Sequence, residues 1–111
     1  MDIRLKTVPF EFRGKKYNLC CNNNVLADVQ EWNGGTIKEA LDGKRGLKST
    51  LQFLAAMIND AADSAGEDLV VTPREVGREL TLNQITDISA TIRSLIISAV
   101  MVESEEGEEK K

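Results

Sequence analysis

Apolar residues alternate along the first stretch of this chain and fall into helical spacing afterwards. Ile3 and Leu5 open a period of two, which Phe10 and Phe12 continue beyond Pro9, a residue suited to a bulge or a sheet edge. The segment RGKK supplies a polar turn containing glycine, and Tyr17, Leu19 and Cys21 resume the alternation. Residues 3–21 therefore read as a β-hairpin with one apolar, aromatic face. Two strands alone are marginal in water, so that face has to pack on helices or on another chain.

The period then changes. Asn22, Asn23 and Asn24 offer N-caps, Val25, Leu26, Val29 and Trp32 follow at helical spacing, and NGG ends that helix. Thr36 and Glu39 form a capping-box pattern that opens a short helix through Ile37, Ala40 and Leu41, and DGKRG reads as a loop. Ser49 or Thr50 suits the cap of the next helix, whose stripe is Leu51, Leu54, Ala55, Ile58 and Ala62, widened by Phe53 and Met57 and stopped by Gly66. EDLVV crosses a loop, with Leu69 to Val71 either buried or shown to a partner.

Thr72 caps again, with Pro73 at the first helical position and Glu75 completing the box. Val76 and Leu80 are the apolar face of this two-turn helix. Thr81 and Gln84 open the last and longest helix, with the stripe Leu82, Ile85, Ile88, Ile92, Leu95, Ile96, Ala99 and Val100. The pattern predicts an α+β, mostly helical fold: an N-terminal β-hairpin, then four or five helices, the long C-terminal one forming the spine of the core. Residues 1–102 form one globular domain, and 103–111 form an acidic, disordered tail.

Two adjacent helix starts in VTPREVGRELTL have the outline of a helix-turn-helix. Charge argues against DNA as its target. Residues 72–102 hold Arg74, Arg78 and Arg93 against Glu75, Glu79 and Asp87, a neutral balance, whereas duplex binding relies on cations meeting phosphates. Residues 1–50 carry nine basic and six acidic groups and residues 51–102 carry three and seven, so the second half is acidic. A small helix-turn-helix regulator is the alternative reading, and packing the preferred one.

Chemistry has little to draw on. The chain has no histidine, and its two cysteines, Cys20 and Cys21, are adjacent, so in a strand they point to opposite faces and suit neither a disulfide nor a dithiol motif. They read as reduced structural thiols. GKRGLKST resembles the end of a phosphate-binding loop, but Leu47 stands where that loop needs glycine. The segment reads instead as a basic loop whose Lys44, Arg45 and Lys48 can meet an acidic partner. Glu75 and Glu79 alternate with Arg74 and Arg78 as an ordinary solvated face. The chain is expected to be no enzyme, with no catalytic residue, no cofactor and no metal. With 41% hydrophobic residues and neither an apolar run long enough for a bilayer nor a signal-peptide pattern, it is expected to be cytoplasmic. Its apolar material either fills one core or, in part, serves association.

FEFRGKKYNL, then NNNVLADVQEWNGG, a middle helix, VTPREVGREL and a closing helix together resemble the tail assembly chaperones of long-tailed bacteriophages, most closely those of phages and prophages of Gram-positive bacteria. The likeness covers roughly residues 3–102. It implies a non-enzymatic protein of the host bacterial cytoplasm, absent from the finished virion, that binds the tape measure protein, keeps it soluble and helps recruit tail tube subunits. It also implies that a longer, frameshifted form can exist, for which Lys110 and Lys111 are suitable codon positions. A structural tail-completion protein is a further alternative. The family carries no fixed binding motif, so the candidate partner-binding residues come from the chain itself. Trp32 is a large aromatic at a helix end, and Leu69, Val70 and Val71 are an extended apolar run able to pair along a strand edge, with core burial the competing reading for each. A homo-oligomer is compatible with the same surfaces.

Overall fold

The computed structural model describes residues 6–34 and 46–109, and its first element is the expected hairpin. Strands β1 (Thr7–Phe12) and β2 (Lys15–Cys20) pair antiparallel, from Thr7 opposite Cys20 to Phe12 opposite Lys15. Arg13 and Gly14 join them with φ of 54° and 78°, the paired positive values of a turn whose twist matches that of the strands. Glycine meets that requirement freely. Arg13 does so while held from outside: its guanidinium forms an ion pair with Glu79 and lies 5.1 Å from the centre of the Phe12 ring. Pro9 faces Asn18 without a bulge. Counting back from the turn, that is a non-hydrogen-bonded pair, where a missing N–H costs nothing.

Four helices follow among the described residues: α1 (Asn23–Asn33), α2 (Leu47–Ser64), α3 (Pro73–Glu79) and α4 (Leu82–Glu109). The fold is thus α+β and mostly helical, with a long last helix. Ile3 and Leu5, the expected helix from Thr36 to Leu41 and most of the loop after it lie outside the described residues. Asn22 caps α1 by accepting from the Val25 N–H at 3.0 Å, and its amide nitrogen donates to Asp60 at 2.7 Å, tying α1 to α2. At the far end of α1, Gly34 adopts the left-handed conformation and returns its N–H to Gln30 and Glu31.

Helix α2, and not α4, is the spine. Every residue from Gln52 to Ile58 is buried, and α2 packs against β2, α1, α3 and α4. A helix surrounded in this way loses its polar face, and Ala55, Ala56 and Ala62 let its neighbours approach closely. Its start also differs from expectation. The cap is Gly46, with no side-chain hydrogen bond, and Ser49 lies inside the helix, buried, while the Thr50 hydroxyl donates back to the Gly46 carbonyl. Its C-terminus closes with Gly66 N–H on the Asp63 carbonyl and Glu67 N–H on the Ala62 carbonyl, the paired bonds of a Schellman end.

Both expected capping boxes form. Thr72 and Glu75 exchange bonds of 2.9 and 3.1 Å at the start of α3, and Thr81 and Gln84 exchange bonds of 2.8 and 3.2 Å at the start of α4. Helix α4 buries one side only. Ile85, Ile92, Leu95 and Ala99 are buried, Ile88 and Ile96 half-buried, and Leu82, expected in the stripe, is 68% exposed. The helix also runs on to Glu109, through the segment expected to be disordered from residue 103. Glutamate is a good helix former, and extending an existing helix needs no new nucleus, so the helix can continue where the apolar stripe of the sequence stops. Among the described residues no helix is long and apolar enough to cross a membrane.

Candidate functional site

A surface hollow of about 780 Å³ opens where the end of α1 meets the first turns of α2 and α3. Trp32 contributes one wall from α1. Leu47, Lys48, Leu51 and Gln52 come from α2, and Thr72, Pro73, Arg74 and Gly77 from α3 and its cap. The walls are mainly apolar: Trp32, Leu51 and Pro73 are half-buried against the core, and Leu47 is 51% exposed. Gly77 sets the width on the α3 side. A Cβ there would meet a Leu51 methyl at 3.3 Å, so its absence lets α3 lie close on α2 and leaves the groove open above them.

Polar groups at the groove are few. Lys48 and Arg74 are exposed at its rim, and among the described residues neither is paired with a carboxylate. Gln52, only 2% exposed, has an Oε1 with no hydrogen-bond partner among the described residues, as has the Ser49 hydroxyl one turn earlier. Among the described residues this arrangement offers apolar contact, two cations and a buried acceptor. Among the described residues no group of three potential ligands is placed to hold a metal ion.

The four residues favoured from sequence separate. Trp32 lies in the groove. Val71 is buried, and its backbone is taken by Asn59, whose amide nitrogen donates to the Val71 carbonyl at 2.8 Å and whose Oδ1 accepts the Val71 N–H at 2.7 Å. Neither its side chain nor its backbone edge is open to a partner, so the strand-pairing expectation fails at Val71. Val70 points the other way and is 76% exposed. Leu69 is half-buried in a second hollow, about 510 Å³, beside Tyr17 and Glu67. There Lys15 and the Tyr17 hydroxyl donate to Glu67 at 3.2 and 3.0 Å and hold its carboxyl below the usual range. That network is satisfied within itself.

Helices α3 and α4 follow each other with only Leu80 and Thr81 between them, but the start of α4 is engaged within the chain. The Gln84 side chain closes its own capping box, and the inner face of α4 is committed to the core through Ile85 and Ile92. Arg13 binds Glu79 at the end of α3 and holds that carboxyl low, so the helix is fastened to the hairpin tip.

Both cysteines are free thiols. Burial, reinforced by Cys20, pushes the Cys21 thiol up to about 12. Its folded value lies above the unfolded value of about 8.5, so the stabilisation is complete below that pH and is lost as pH rises toward the folded value. A thiol reagent at about pH 8 should therefore leave Cys21 untouched in the native protein while half-buried Cys20 reacts slowly, and both should react in denaturant. Mass spectrometry of the labelled chain distinguishes them, and equal native rates would contradict the burial of Cys21.

No family model matches the chain, and no curated protein or solved structure shows significant similarity to it.

Proposed function

We propose that the chain is a non-enzymatic tail assembly chaperone whose Trp32 groove seats an apolar segment of the tape measure protein, keeping that long protein soluble while tail tube subunits assemble on it. The observation that carries this reading is the open groove itself, with Trp32, Leu47, Leu51 and Pro73 left accessible in a chain whose other large side chains mostly fill a core. Each Leu- or Val-sized side chain buried there would contribute about 1.5–3 kcal/mol before the cost of association, which suits holding and later release. The likeness of FEFRGKKYNL and the segments after it to tail chaperones supplies the biological setting.

Co-expression is the test. The tape measure protein produced with this chain should be recovered soluble and should co-purify with it, whereas alone it should aggregate. No gain in soluble yield together with no co-purification would remove the reading.

A further inference from the structure

We infer that the groove selects an amphipathic helix that carries carboxylates beside its apolar anchors, an inference that rests on reading this groove as a partner's seat. Its walls are built from three helices, with no unpaired strand edge among them, so an extended segment would find no ladder to join and a helix laid in the groove is the fitting mode. Among the described residues the two charges at the rim are both positive, Lys48 from α2 and Arg74 from α3, and no acidic residue lines the hollow. Carboxylates on a partner are therefore attracted at this rim.

Two further features point the same way. The first turn of α2, which contributes Leu47 and Lys48, has no side-chain cap and no acidic residue, so no carboxylate of that turn offsets the positive end of its dipole. Gln52 lines the same groove, and its buried Oε1 has no donor among the described residues. Once the Gln52 side chain rotates toward the groove, an Asn amide or a Ser hydroxyl among the occupant's anchors would satisfy that acceptor, which an apolar anchor cannot do.

The chain's one tryptophan is the reporter. Three Trp-free helical peptides with the same Leu and Asn positions, flanked by Glu, Gln or Lys, are titrated into the full chain while Trp32 emission is followed. The Glu peptide should bind tightest and weaken with salt, the Lys peptide should bind about ten-fold or more weaker, and the order should reverse in the Lys48→Glu/Arg74→Glu variant. Both residues are exposed, so that variant should keep the wild-type circular dichroism. Equal binding of all three peptides would overturn the carboxylate preference, and no response of Trp32 to any of them would overturn docking in the groove. Trp32 and Leu47, which both line the groove, flank residues 35–45 in the sequence. If Trp32 is shielded from acrylamide in the free protein and Ile37→Asp/Leu41→Asp exposes it, the chain fills its own groove and the inference fails. The functional reading fails separately. Tape measure rescue that is indifferent to Lys48→Glu/Arg74→Glu overturns the inference alone, whereas no rescue with the peptide order intact overturns the chaperone assignment and supports the groove chemistry.

Discussion

Leu54→Ala is expected to lower the unfolding free energy by about 2–5 kcal/mol, against about 5–15 kcal/mol for a domain of this size. Leu54 is fully buried at the middle of α2, within the run from Gln52 to Ile58 in which no residue reaches solvent. Its helix is gripped by β2, α1, α3 and α4, so the space left by the lost methyl groups cannot close by moving one neighbour. Urea unfolding followed by circular dichroism measures the loss. Leu82→Ala is the matched control: Leu82 belongs to the strongest periodic stripe of the chain yet is 68% exposed, and its truncation should change stability by no more than about 0.5 kcal/mol. Similar losses at both positions would contradict the central place of α2 in the core.

Asn59→Ala is expected to cost about 2–4 kcal/mol, since it orphans both backbone groups of a buried residue rather than one exposed bond. The Asn59 amide exchanges two hydrogen bonds of 2.8 and 2.7 Å with Val71, which is 1% exposed. That exchange fixes the chain immediately before Thr72, Pro73 and Arg74 and so places one wall of the groove. Besides the shift in urea midpoint, hydrogen exchange should show the Val71 amide losing its protection while amides in the middle of α2 retain theirs relative to global stability. Wild-type protection at Val71 in the variant would contradict the clamp.

What could be read from the sequence was local. The hairpin rests on a period of two and on Arg13–Gly14, and the starts of α3 and α4 rest on reciprocal bonds between residues three apart; neither needs the rest of the fold. The identity of the central helix was misleading for a physical reason. A clean stripe such as that of α4 marks a helix with one buried side and one wet side, whereas the nearly unbroken apolar run Phe53–Ile58 marks a helix surrounded on all sides. Ser49 looked like a cap because serine favours caps, and its burial inside α2 depends on neighbours distant in sequence. Val70 and Val71 differ only in which way an extended backbone turns them, and the partner that decides it, Asn59, is twelve residues away. Trp32 was legible as a bulky aromatic at a helix stop. The rest of the groove was not, because three elements separated by loops supply it, although Gly77 inside a seven-residue helix was a signal that something approaches closely there.

The most direct measurement of the central claim sets two exposed apolar residues against each other. Leu47 is 51% exposed in the groove and Val70 is 76% exposed on the loop before α3, so an aspartate at either position should leave the fold intact. Each variant is co-expressed with the tape measure protein, and the soluble partner that co-purifies is weighed against the wild-type yield. The groove account predicts that Leu47→Asp loses most of the bound partner and that Val70→Asp retains it. Retention by Leu47→Asp with loss by Val70→Asp would contradict the account and move the contact to the loop.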